Sequence, residues 1–517
     1  MSEPASEPLE PRPLDRRMIT LSIMAATIMQ TLDTTIANVA LPHMQGALSA
    51  SQDQIAWVLT AYIVAAAIAT PLTGWMVDRF GQRNVFIVSV IGFTVASALC
   101  GLSESLAQIV AARLLQGVFG AALVPLSQMV LMEINPPAKQ GSAMAVWGMG
   151  VMVGPILGPT LGGWLTDSYN WRWVFFINVP VGILATYGIW RYIHPVPAAR
   201  RTQFDLFGFA ALGIAIGSLQ LLLDRGQQND WFSSNETWTE AIVMVVAFTY
   251  FVAHTALTRA DRSFLDYRLL RNGNYLSGLM FIFIVGLVMY ATRALLPTML
   301  EDLLDYPVTI TGLVTAPSGI GTMLAMLIAG RIIGKVDLRI ILFAGFSITA
   351  VALWQMTGYS LDLSQGDIVW PGVVQGIGLG FVFVPLSAAT FATLSPEMRA
   401  QGTAIFSLVR NIGSSIGISM VQAVLVRSTV SAHAALVERI TYGNPAWSNP
   451  AVAAAYDVRR LDGAAALDGV ITQQASMIAY INDFRLMLYL TLAVIPVLLL
   501  IRAPRRAAVA QEHVVMD

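Results

Sequence analysis

The chain has 517 residues, 56% of them hydrophobic and only 12% charged, against roughly 25% charged in a soluble globular protein, which excludes an ordinary cytosolic enzyme. Thirty lysines and arginines face thirty-one aspartates and glutamates, for a formal net charge of -1. No basic field exists to hold nucleic acid through its phosphates, and no nucleic-acid partner is expected. The single cysteine, Cys100, rules out an intramolecular disulfide and a cysteine-based metal site, and no metal or cofactor is expected.

In chain order, residues 1–17 are acidic and proline-rich and lack the features of a signal peptide, so they are expected to form a cytoplasmic tail. A helix that crosses a bilayer needs about 20 mostly apolar residues. Six such runs follow the tail, at 18–41, 54–76, 84–102, 106–132, 141–166 and 172–192. Two more, at 205–223 and 237–258, sit in a linker spanning 193–273. A last six fall at 274–300, 308–331, 338–358, 366–393, 402–427 and 484–502, with a tail at 503–517. Segment 428–483, between the last two runs, is the one long connection, expected to be extracytoplasmic, to carry an amphipathic helix over 464–484 (AAALDGVITQQASMIAYINDF) that feeds the last span, and to serve as a rim lid or a docking surface. With a cytoplasmic N-terminus, twenty of the thirty basic residues fall on the cytoplasmic side, so the positive-inside rule places both termini in the cytoplasm of a multi-pass membrane protein.

The chain repeats itself. GWMVDRFGQR at 74–83 recurs as GRIIGKVDLR at 330–339, and QGVFGAALVPLS at 116–127 as QGIGLGFVFVPLS at 375–387. Offsets of 256 to 260 residues divide the chain into two parallel six-helix halves, 18–192 and 274–502, around the two linker helices. Such repeats suit a transporter that rocks two bundles about a central site.

Few charged residues lie inside the spans. Asp33 sits in the middle of the first, on a small polar face with Gln30, Thr34, Ala37 and Asn38. A carboxylate there costs about 3 kcal/mol, so it either pins helices together or carries a proton from one side to the other. In the fourth span Arg113 opens a second polar face with Gln116, Ser127 and Gln128. Its guanidinium keeps its charge, so it acts as the partner of a carboxylate or snorkels to the interface. Arg293, Arg410 and Asn411 are further candidates for a substrate cavity, with snorkelling as the alternative for the arginines. In the fifth span Gly150, Gly154, Gly158 and Gly162 recur every four residues, and Pro155 and Pro159 break the ladder of hydrogen bonds. That stripe is a packing seam, a hinge, or both. Gly74, Asp78, Arg79, Gly81 and Arg83 occupy a short cytoplasmic turn, where an acid set among bases suits an ionic latch as well as topology. The G-x-S-x-G at Gly413, Ser415 and Gly417 lies inside an apolar helix, not a strand-turn-helix elbow, and no P-loop is present.

These segments resemble the major facilitator superfamily, and within it the fourteen-helix drug:proton antiporters of the EmrB branch. LDTTIANVALP at 32–42 is similar to the group's first-helix signature, GWMVDRFGQR to the superfamily loop motif, and RLLQGVFGA at 113–121 to the fourth-helix motif. GVMVGPILGPTLGGWL at 150–165, which includes Gly163, resembles the antiporter motif, while WRWVFFINVP at 171–180 and LDRGQQNDWFSS at 223–234 point to that branch. In the second loop copy Gly334 replaces Asp78, so the resemblance assigns a charge relay to the first copy alone. It implies an all-α fold of fourteen transmembrane helices and proton-driven multidrug efflux of amphipathic compounds across the inner membrane, with Asp33 and Arg113 in proton coupling. A close likeness would add a membrane-fusion adaptor and an outer-membrane channel as partners, with 428–483 as one contact. A substrate-specific exporter, or a proton-coupled facilitator or importer of a small solute, is the alternative function.

Overall fold

The computed structural model describes residues 13–195, 204–258, 263–440, 449–457 and 459–500. Outside it lie most of both tails and eight basic residues that enter the topology expectation, namely Arg12, Arg200, Arg201, Arg259, Arg262, Arg502, Arg505 and Arg506. Among the described residues thirteen helices are long and apolar enough to cross a membrane, or fourteen with one bent pair taken as a single span, and no strand is present apart from one isolated bridge between Ile333 and Val336. Helices satisfy every backbone group within the segment, which lipid demands.

The first six spans are α1 (Pro13–Ala47), α2 (Trp57–Ala69 and Leu72–Phe80), α3 (Gln82–Leu102), α4 (Leu106–Ile134), α5 (Pro137–Ser168) and α6 (Trp173–Tyr192). Two follow in the linker, α7 (Leu206–Arg225) and α8 (Asn235–Leu257). The last six are α9 (Gly273–Leu303), α10 (Val308–Ile332), α11 (Leu338–Met356), α12 (Gln365–Ala392), α13 (Arg399–Val437) and α14 (Leu461–Val494). The packing repeats with a shift of eight helices. Contacts of α1 with α5 and α6, α2 with α4, and α3 with α4 and α6 recur as α9 with α13 and α14, α10 with α12, and α11 with α12 and α14. Two six-helix bundles with two inserted helices result.

Polarity runs inside out. Asp33, Arg113, Gln116 and Asn178 are buried, whereas Val95 and Leu99 of α3, Ile183 and Leu184 of α6, and Val245 and Val246 of α8 are exposed. The halves meet where α5 packs on α10, where α13 packs on α2 and α4, and where Trp147 of α5 stacks on Phe383 of α12 with ring centroids 5.9 Å apart. Linker helix α7 touches both bundles, and Gln220 Nε2 donates to Ser415 Oγ of α13 at 2.6 Å.

The structure departs from the sequence expectation in two places. The second span is not straight: its two pieces meet at 55° around Pro71, which has no N–H to give the ladder. Segment 428–483 is also more helical than expected: α13 runs on to Val437, a short helix follows at Pro450–Ala455, and the stretch read as an amphipathic helix over 464–484 is one continuous helix with the last span, α14, from Leu461. Residues 441–448 and 458 of that segment lie outside the described residues.

Candidate functional site

The centre of the first bundle holds one closed polar network. Asp33 of α1 is fully buried, and its Oδ2 accepts from Arg113 Nη1 of α4 at 2.6 Å. Its Oδ1 accepts from Gln116 Nε2 at 2.8 Å and from Asn178 Nδ2 of α6 at 2.9 Å. Arg113 is spent as fully. Its Nε donates to the Val58 carbonyl of α2 at 3.0 Å, its Nη1 also reaches Gln116 Oε1 at 2.7 Å, and its guanidinium lies 4.4 Å from the centre of the Tyr62 ring. Asn178 is steadied by Ser97 of α3, whose hydroxyl it meets at 2.8 Å and which donates in turn to the Phe175 carbonyl at 3.0 Å.

Five of the six helices of the bundle therefore converge on one carboxylate. An ion pair taken out of water is tolerated only when further hydrogen bonds complete it, and here they do. One partner can exchange a proton and the other cannot, so the charge of the network is set at Asp33.

The other residues singled out in the sequence scatter around this centre. Gln30 and Thr34 are half-buried, and the Thr34 hydroxyl donates to its own helix at Thr31 O, 2.8 Å away. Asn38 is exposed, because five residues along a helix turn it about 140° away from Asp33. Gln128 is fully buried, and neither its Oε1 nor its Nε2 has a hydrogen-bond partner among the described residues. Arg293 of α9 reaches across the interface between the halves, its Nη2 3.2 Å from Met152 Sδ of α5, and its Nη1 is buried without a partner. Arg410 is 7% exposed, with its Nη2 at 3.4 Å from Asn411 Oδ1 and its Nε without a partner. Unlike Arg113, neither of these arginines forms an ion pair with a carboxylate among the described residues.

The glycine stripe of α5 faces α1. A side chain added at Gly150 would strike Met24, one at Gly154 the backbone of Thr31, one at Gly158 the Thr35 hydroxyl, and one at Gly162 Ile36. Thr35 Oγ1 donates to the Gly154 carbonyl at 3.0 Å, across a seam that only glycine permits. Gly163 faces open space. The other side of α5 meets α10, with Ile156 against Gly319 and the half-buried Pro159 near Gly312, and Pro155 is half-buried as well. Helix α5 is thus clasped between the first helix of its own bundle and a helix of the other.

Of the loop residues, Gly74, Asp78 and Arg79 belong to the last helical piece of α2, and the turn proper is made by Gly81 at φ +80°. Gly74 lies against the backbone of Gln401 at the start of α13, Asp78 is half-buried, Arg79 is exposed, and Arg83 donates to the Trp190 carbonyl of α6.

Sequence reasoning missed Asn178 and Ser97. Their signal is a lone polar residue inside an apolar run, INVP and ASALC, without a charge to mark it. It also missed Asp483 of α14, which falls near the end of the stretch read as an amphipathic helix; it is fully buried, with neither carboxylate oxygen hydrogen-bonded among the described residues.

Residues 23–418 match the family model described as Major Facilitator Superfamily. Among curated relatives, the chain is 34% identical to the fatty acid resistance protein FarB of Neisseria gonorrhoeae over 488 residues, covering 94% of this chain and 96% of that protein. It is 36% identical to the multidrug export protein EmrB of Escherichia coli strain K12 over 430 residues, 83% of this chain and 84% of the relative. Among solved structures, the human organic anion transporter MFSD10 superposes with a TM-score of 0.58 at 15% identity, over 93% of this chain and all of that one. The proton:xylose symporter XylE gives 0.57 at 13% identity, over 93% and 96%. The chain, a multi-pass membrane protein of two six-helix bundles and two inserted helices, belongs to the Major Facilitator Superfamily.

Proposed function

We propose that this protein is a proton-driven exporter of amphipathic toxic compounds that works by alternating access, a secondary transporter and not an enzyme. The buried Asp33–Arg113 pair carries the reading. A proton arriving on Asp33 removes the charge that Arg113 balances, loosening a network that ties α1 to α2, α4 and α6, and release of that proton to the opposite side restores the carboxylate and resets the pair. Each charge that crosses with the membrane potential yields about 2.3 kcal/mol per 100 mV, enough with a pH difference to drive accumulation. The relatives named for multidrug export and fatty acid resistance support varied amphipathic substrates. Gln30, Thr34, Asn38, Gln116, Gln128, Arg293, Arg410 and Asn411 are the residues proposed to meet them.

In this reading residues 18–192 and 274–502 are the moving bundles, 193–273 links them, and both termini are cytoplasmic at the inner membrane. The loop from Gly74 to Arg83 latches the cytoplasmic side, and the α5 seam keeps the pathway proton-tight. The region between α13 and α14 is the proposed contact for a membrane-fusion adaptor leading to an outer-membrane channel.

The test is drug-induced proton movement in proteoliposomes under an imposed pH gradient, with several unrelated lipophilic compounds, for the wild type and Asp33→Asn. Coupled flux lost in Asp33→Asn while drug binding survives is the expected result. Unchanged coupling in the variant removes Asp33 from the mechanism, and absence of coupled flux in the wild type returns the protein to a facilitator.

A further inference from the structure

Where the N-terminal end of α1 meets the end of α4 and the start of α5, a cavity of about 450 Å³ opens at the surface. Its charged lining is wholly basic: Arg16 and Arg17 from α1 and Lys139 from α5. Its walls are apolar, formed in part by Leu21, Leu131 and Val146, of which Leu21 is 64% and Val146 38% exposed. In a chain that crosses a membrane, those exposed side chains continue the lipid-facing surface of their helices.

The neutral polar residues of the cavity are turned to their own helices. Thr20 Oγ1 donates to Arg16 O at 2.8 Å, Asn135 Nδ2 to Leu131 O at 2.8 Å, and Ser142 Oγ to Lys139 O at 2.9 Å. No acidic side chain lines the cavity, and Glu133 at the end of α4 interacts with Gln82 and Arg399 instead. Cationic heads over an apolar wall at the ends of membrane helices complement an anion carried on an acyl body.

We propose that this cavity is a binding site for an anionic phospholipid of the bilayer, its phosphate held by Arg17 and Lys139 and an acyl chain lying along Leu21 and Val146. The walls open to lipid, so the chain enters without crossing water, and the long basic side chains reach the headgroup from helix ends. Since Arg17 belongs to α1 and Lys139 to α5, the lipid clasps the two helices that share the glycine seam. The site depends on membrane insertion alone and stands whether or not the protein is a proton-coupled exporter.

The experiment is lipid retention by the full-length protein, extracted from bilayers of phosphatidylglycerol and phosphatidylcholine in equal amounts and read by native mass spectrometry. Phosphatidylglycerol is expected to be retained over phosphatidylcholine. Arg17→Gln and Lys139→Gln each lower its occupancy about fivefold, Lys139→Arg keeps it, and Arg79→Gln, an exposed arginine outside the cavity, leaves it unchanged. Equal retention of the two lipids, retention that survives the Arg17→Gln/Lys139→Gln double variant, or the same loss in Arg79→Gln overturns the proposal. So does displacement of the lipid by inorganic phosphate or by a soluble fatty acid at matched concentration, since the site would then be one for a free anion or a transported amphiphile.

Discussion

At the residue scale the decisive fact is that, among the described residues, the charges of Asp33 and Arg113 are each balanced by an ion pair only with the other. Removing one charge strands its partner in a fully buried site, at a cost of about 3–5 kcal/mol, whereas removing both leaves polar groups that can still hydrogen-bond. Arg113→Gln is therefore expected to lower thermal stability sharply in detergent, and the Asp33→Asn/Arg113→Gln double variant to recover most of the loss. Additive losses in that double-mutant cycle would mean that the pair is not coupled. Asn178→Leu is expected to cost about 1–3 kcal/mol, because Asp33 Oδ1 and Ser97 Oγ both lose a donor; an unchanged unfolding midpoint would refute that. The charged half of this site was legible in the sequence, since an acid and a base inside apolar spans are costly enough to mark themselves. The neutral half was not. Ser97 and Asn178 look like any small polar residue of a span, and only the fold brings positions 33, 97, 113 and 178 to one point.

At the scale of the element, α5 shows why a four-residue glycine period is more than packing convenience. Val at Gly154 would drive a side chain into the Thr31 backbone, which cannot yield as a flexible side chain can. Overpacking of this kind costs about 1–3 kcal/mol and forces α5 away from α1. Gly154→Val is expected to abolish export in a whole-cell accumulation assay at near-normal membrane levels. Gly163→Val, which enters open space one position off the stripe, serves as the control and is expected to transport normally. Equal loss in both would reduce the stripe to a generic requirement for small residues. Helix number and type were legible from hydropathy, but helix ends were not. Past Arg427 and before Phe484 the sequence turns charged and polar, with His433, Glu438, Asp462 and Asp468, so it stops resembling membrane while α13 and α14 continue as helices beyond the apolar stretch. Pro71 was visible too, yet a proline in a span bends it or is accommodated straight according to its neighbours, and the sequence does not say which.

At the scale of the whole molecule the two loop glycines make matching contacts between the halves. Gly74 at the end of α2 lies against Gln401 of α13, and Gly330 at the end of α10 against Gly141, Ser142 and Ala145 of α5. Helices α5 and α13 are themselves counterparts under the repeat, so each half presses a glycine onto the opening turns of the same helix in the other. The turns beyond them are matched by different means, Gly81 at φ +80° in the first copy and Gly334 at φ +86° in the second. Gly334 stands opposite Asp78 in the alignment because the second copy turns three residues earlier. Both contacts lie at the end proposed to be cytoplasmic, so a side chain at either should wedge the bundles apart there. Reversing a population from 1:99 to 99:1 takes about 5.5 kcal/mol, more than the roughly 1–3 kcal/mol of one overpacked contact. Gly74→Val alone is thus expected to give a mixture, and Gly74→Val/Gly330→Val a population mostly open on that side. Spin labels at Asn84→Cys and Lys335→Cys, both exposed positions, read the separation by pulsed electron resonance, with the buried Cys100 left unlabelled. A second, longer distance that grows from the single to the double variant is the expected outcome. If both variants keep the wild-type distribution, the glycine contacts do not hold the bundles together, and the closure of this end must reside in other contacts between the halves, such as Trp147 of α5 on Phe383 of α12.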